Sequence, residues 1–155
     1  MNSKYLKRWL PAFAVMAILF YLSSRQGTPL APTHFWNYVA NKAAHILWFS
    51  LLCLSFFRAT KHRAAAISLT TLYGALDEFH QSFIPTRTAS GLDLIVDFAA
   101  ACLVGFILWK FYPRLPKTLK NWLEAIATLV GFILTTIGLI GWIMLAVQET
   151  RTHSS

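Results

Sequence analysis

Apolar runs alternate with short polar breaks along the whole chain: Trp9 to Leu22, Ala43 to Phe57, Ala64 to Leu76, Phe98 to Trp109 and Ala125 to Val147. A helix needs about 20 residues to cross the hydrocarbon layer of a membrane. The fifth run meets that length with 23 uncharged residues, but the second, third and fourth offer only 15, 13 and 12. They reach it only if neighbouring polar residues belong to the helix. The second helix must therefore take in Lys42 and His45 at its end. The third must continue through Asp77, Glu78, His80 and Gln81 to Ile84, with Pro85 as its stop. The fourth must start near Gly91 and include Asp93 and Asp97. The pattern predicts an all-α, polytopic membrane bundle of about five transmembrane helices.

The breaks fill in the rest. Pro11 falls near the start of the first run, where its missing N–H costs little. Ser23 and Ser24 end that run and read as caps, with lining of a polar pocket as the alternative. No small-x-small cleavage site follows Leu22, so an uncleaved first helix is expected rather than a signal peptide. Gln26 to Asn41 carries Gly27, Pro29 and Pro32 and reads as a loop, with Trp36 and Tyr38 at the membrane interface. Arg58 to Arg63 is a basic turn in which His62 is solvated, and Lys110 to Lys120, with Pro113 and Pro116, is a basic linker. Gly131 and Gly138 mark a packing face on the last helix, and the tail from Gln148 is frayed. No internal repeat is visible, so residues 1–155 are taken as one transmembrane domain.

Composition agrees with the pattern: 56% of the 155 residues are hydrophobic and only 13% charged, too apolar for a soluble domain of this size. The formal charge of +8 does not indicate nucleic acid, because Lys and Arg fall in short clusters between apolar runs. Ten of the fourteen lie before the first helix, after the second and after the fourth; Arg25, Lys42, Arg87 and Arg151 are the others. The positive-inside rule then gives a cytoplasmic N-terminus, five spans and an external C-terminus. Cys53 and Cys102 sit in apolar runs and read as buried thiols.

Acidic residues are distributed differently. Four of the six, Asp77, Glu78, Asp93 and Asp97, fall within the 25 positions from Tyr73 to Asp97. In the five-span topology, the ends of the second, third and fourth helices bring Lys42, His45, Asp77, Glu78, Gln81, Asp93 and Asp97 to one depth. Arg87 folds over them from the loop after Pro85. Lys42 and His45 are i,i+3, Asp93 and Asp97 i,i+4, and Asp77 and Glu78 precede Gln81 by four and three, so each set can face inward. Buried acids in a membrane are costly and mark either an ion-pair network or a functional site. Four acids against Lys42 and Arg87 leave two negative charges to be met by protons, protonated histidines, a metal or a cationic ligand. That surplus favours a polar pocket open to the outer face over structural glue.

Several of these motifs occur together and in order: Tyr21-Leu-Ser-Ser24, Asn41-Lys-Ala-Ala-His45, Asp77-Glu-Phe-His-Gln81, Ile84-Pro-Thr-Arg87 and Asp93-Leu-Ile-Val-Asp97. From about Phe20 to Trp109 the chain resembles the VanZ-like family of small bacterial membrane proteins, named for a protein associated with low-level teicoplanin resistance. Pro85-Thr86-Arg87 departs from the family's Pro-Gly-Arg, Ala100 stands where a Gly is expected, and the helix at 125–147 lies outside the resemblance. The resemblance implies a multi-pass place in the cell envelope, in the bacterial cytoplasmic (inner) membrane, but carries no reaction.

The expected function is binding, or altering the availability, of a lipid-linked or peptidoglycan-related ligand, with an effect on glycopeptide susceptibility. The expected partner is a membrane lipid or lipid-linked envelope precursor, with a homo-oligomer as a further option. The alternative is an intramembrane acid–base enzyme acting on a lipid head group, with His45 as base and a protonated carboxylate as acid. A transporter ranks third, since five spans without a repeat are few. A metal set of His45, Glu78 and Asp93, with His80 as a fourth, does not match a known metal-motif spacing, so neither metal nor cofactor is expected. The topology predicts that a cysteine replacing Lys117 reacts with an impermeant thiol reagent only after the cytoplasmic face is opened, whereas one replacing Ser154 reacts in intact cells. The reverse pattern would contradict the outward pocket.

Overall fold

Four α-helices follow one another in the computed structural model, which describes residues 3–24, 33–84 and 90–123. They are α1 (Ser3–Ser24), α2 (His34–Thr60), α3 (Arg63–Gln81) and α4 (Gly91–Lys110). A 3₁₀ turn at Tyr112–Arg114 follows α4, residues 117–123 are again helical, and no strand occurs among the described residues. The stretches Tyr5–Ser24, His34–Thr60 and Gly91–Arg114 are long and apolar enough to cross a membrane. At 1.5 Å per residue, the 19 residues of α3 extend about 28 Å.

Consecutive helices pack side by side, with α2 and α3 each touching the other three. The seam is filled by Ala12, Val15 and Leu19 of α1, Phe49, Leu52, Cys53 and Phe56 of α2, Ala66 of α3, and Ala101, Val104 and Leu108 of α4. Small side chains at the contacts let helix axes approach, as in membrane bundles. Gly105 is the tightest case: a Cβ there would lie 2.6 Å from Ile67 Cδ1. Many other large apolar side chains point the other way, with Leu47, Leu54, Leu72, Leu76, Leu103, Phe106 and Ile107 all exposed. In α3 the contrast falls between neighbours, since Phe79 keeps 64% of its surface exposed and Glu78 only 8%. Apolar outside with carboxylates inside suits a lipid solvent and not an aqueous one.

Several boundaries differ from the sequence expectation. Residues 34–41 are not a loop but the first two turns of α2, which Thr33 caps by accepting from the Trp36 N–H at 3.4 Å. Lys42 and His45 therefore lie well inside α2. α3 ends at Gln81, short of Ile84, and the last three residues form a tightened turn in which Phe83 N bonds His80 O and Ile84 N bonds Gln81 O. Part of the expected linker, from Lys117, is helical. His62 is exposed as expected, but its ring also accepts from the Ala65 N–H and caps α3. The two cysteines are free thiols, Cys53 buried and Cys102 half-buried. Arg25, Pro85, Arg87, Gly131, Gly138, the helix expected at 125–147, the tail and Arg151 lie outside the described residues.

Pro11 is also not at a helix start. α1 begins at Ser3, so Pro11 is interior and deprives the Lys7 carbonyl of its usual i+4 partner. Arg58, in the last turn of α2, supplies the replacement: its Nη1 donates to Lys7 O at 2.9 Å and Arg8 O at 3.1 Å. This joins the start of α1 to the end of α2 at the basic end of the bundle. α2 then closes on Lys61, whose φ of 59° is the left-handed conformation and whose N–H returns to Phe57 O.

Arg58→Ala should lower stability in detergent by about 1 kcal/mol, the net worth of a hydrogen bond whose carbonyl remains open to solvent. The loss should shrink when Pro11→Ala restores the missing N–H. An unfolding double-mutant cycle with no coupling between the two positions would contradict this assignment.

Candidate functional site

At the end of the bundle opposite Arg58, four helix segments bring polar side chains together. α2 and α4 run in the same direction, and their i,i+3 and i,i+4 pairs form a two-rung ladder. In the outer rung Lys42 Nζ is ion-paired with Asp93 Oδ1, each side chain partly exposed. In the deeper rung His45 Nδ1–H donates to Asp97 Oδ1 at 2.9 Å, and the Asp97 side chain is almost wholly buried. That bond fixes the imidazole so that a neutral ring carries its lone pair on Nε2. The His45 ring lies parallel to Phe49, with centroids 5.9 Å apart.

α3 contributes from the facing side. Asp77 is buried and accepts from Ser23 Oγ at 2.5 Å through Oδ1 and from Gln81 Nε2 at 2.8 Å through Oδ2, the second being the i,i+4 contact expected of that pair. Ser23 in turn accepts from Gln81 Nε2 at 3.4 Å. Glu78 reaches the start of α4, where its Oε2 accepts the Ser90 N–H at 2.7 Å. The Ser90 side chain makes no cap bond there, so Glu78 meets a helix N-terminus whose dipole favours an anion. His80 Nε2 lies 2.9 Å from Ser24 Oγ, which donates to Phe20 O, so the imidazole N–H is the donor to Ser24; its ring stacks on Phe20.

Two buried oxygens remain without a hydrogen-bond partner among the described residues: Glu78 Oε1 and Asp97 Oδ2. Asp97 Oδ2 would lie 3.3 Å from a Cβ at position 74, so Gly74 gives this carboxylate the space it occupies between α3 and α4. One donor atom from each of His45, Glu78 and Asp97 falls within 4.8 Å of the others.

Seven of the eight residues singled out from sequence are thus described, and they occupy one end of the bundle. They divide into Lys42 with Asp93, His45 with Asp97, Asp77 with Gln81, and Glu78 on the Ser90 backbone. The eighth, Arg87, lies outside the described residues. Sequence reasoning gave Ser23 and Ser24 less weight than they have, since each bonds across to α3. Their signal was present: two hydroxyls at the same helix end as the acids.

The family model described as VanZ/LLP1 matches residues 6–113, well over half of the chain. The chain belongs to the VanZ/LLP1 family. The match takes in all but the first three residues of α1, the whole of α2 to α4 and every described member of the polar cluster, and extends beyond the Phe20 to Trp109 resemblance at both ends. No curated protein and no solved structure matches the chain. It is a VanZ-like membrane protein, with apolar helices of spanning length and an interior layer of acids.

Proposed function

We propose that this VanZ/LLP1 protein sits in the bacterial cytoplasmic membrane with its N-terminus inside, and binds a lipid-linked or peptidoglycan-related envelope ligand through its polar end, which faces outward. The observation that carries the reading is the pair of unpartnered oxygens, Glu78 Oε1 and Asp97 Oδ2, inside a layer already rich in negative charge. A network kept only as glue gains by having every buried polar atom met, since each unmet one costs about 1–3 kcal/mol or more. Lys42, His45 and Asp93 each keep part of their side-chain surface exposed, so a ligand can approach the layer at these residues. Binding there would alter how available the ligand is to glycopeptides, the effect for which the family is named.

The His45–Asp97 bond favours one further reading, acid–base chemistry on a lipid head group. The carboxylate orients the imidazole and leaves Nε2 to take a proton, the arrangement used by general bases. Formation of product from labelled lipids by purified protein separates this reading from binding alone.

Glu78→Gln tests the site against the glue, because it keeps shape and hydrogen-bonding capacity and removes one surplus charge. A site should lose its envelope phenotype, read as sensitivity to a lipoglycopeptide in a permeable host, while melting temperature in detergent holds or rises. A variant that melts several degrees lower and keeps the full phenotype would overturn the proposal in favour of an ion-pair network.

A further inference from the structure

We propose that His45, Glu78 and Asp97 form a binding site for one divalent first-row metal ion, such as Zn²⁺ or Mn²⁺. Three helices each supply a donor, and the three donor atoms lie within 4.8 Å of one another. A tetrahedral metal with bonds of about 2.0–2.2 Å holds its ligand atoms roughly 3.4 Å apart, so closing the set takes side-chain adjustments of about an ångström. His45 Nδ1 and Asp97 Oδ1, at 2.9 Å, already have the spacing of two neighbouring ligands on one ion. The ion takes the place of the proton they share, as metals do when they bind protonated donor sets.

The second observation is the unmet carboxylate oxygens. Glu78 is 8% exposed and Asp97 fully buried, yet each keeps one oxygen without a hydrogen bond among the described residues. The remaining polar groups do not compete for the ion. Asp93 is engaged by Lys42, Asp77 by Ser23 and Gln81, and His80 turns away to Ser24 and Phe20. The set differs from the one set aside on sequence spacing, with Asp97 in place of Asp93 and without His80. A 2+ charge matches the two carboxylates, and an imidazole beside two carboxylates suits zinc or manganese better than magnesium or calcium.

The inference uses the polar site of the preceding proposal but not the identity of its ligand. Full-length protein in detergent, stripped with chelator and dialysed against Mn²⁺ or Zn²⁺, should retain one ion per chain by mass spectrometry. Glu78→Gln and Asp97→Asn should each weaken retention at least about tenfold, while Asp77→Asn, whose carboxylate is outside the set, keeps one ion. Should the variants fold poorly, Mn²⁺ bound to the unmodified chain still gives a direct readout, because spin-echo modulation should show one imidazole nitrogen. No retained metal, metal retained equally by Glu78→Gln, or Mn²⁺ without a nitrogen signal would each overturn the inference. The lipoglycopeptide phenotype is read separately, so failure here would leave the proposed function standing.

Discussion

Carboxylates carried into a bilayer have to be met from neighbouring helices, and in this chain that requirement fixes how the helices stand against each other. Hydrophobic burial cannot do so, because lipid is as good a solvent for Leu and Phe as the bundle interior. The polar contacts are directional and therefore select a register. Lys42 with Asp93 and His45 with Asp97 align α2 with α4, Ser23 with Asp77 holds α1 to α3, and Glu78 ties α3 to the N-terminus of α4. At the other end Arg58 does the corresponding work for backbone, meeting the carbonyls beside Pro11.

Small residues allow these polar contacts to form. Ala12, Ala66, Ala101 and Gly105 keep the helices close along the middle of the bundle, and Gly74 leaves room for the Asp97 carboxylate. Many side chains that would fill a soluble core are turned outward. The interior is polar at one end, apolar in the middle, where Phe49, Leu52 and Phe56 pack among the small residues, and closed by Arg58 at the other.

Much of this was legible in the chain because of a mismatch of lengths. The run from Ala64 to Leu76 is too short to span unless Asp77 to Gln81 belong to the helix, and they do. Phe98 to Trp109 is too short unless the helix starts near Gly91, and it starts there. What was not legible depended on partners distant in sequence. Which acid meets Lys42 and which meets His45 is set by the register of α2 against α4, which spacing within each helix does not contain. Pro11 reads as a helix start until Arg58 is seen to supply the bonds that make an interior proline tolerable. Residues 34–41 read as a loop because they follow Gly27, Pro29 and Pro32 without an apolar run of their own, whereas Thr33 caps a helix that begins at His34. Ser23 has two ordinary roles, cap and partner, and only the position of Asp77 decides between them.

The central claim is that polar pairing across helices sets the register of the acid layer, and the Lys42–Asp93 rung tests it most directly. Lys42→Asp and Asp93→Lys would each place like charges opposite one another, and their combination would restore a pair of opposite sign. Melting temperature of the three purified proteins in detergent decides the matter. Each single variant should melt well below the parent chain, and the double variant should recover most of the loss. A double variant no more stable than the worse single one would mean that the two side chains do not meet, and would contradict the account.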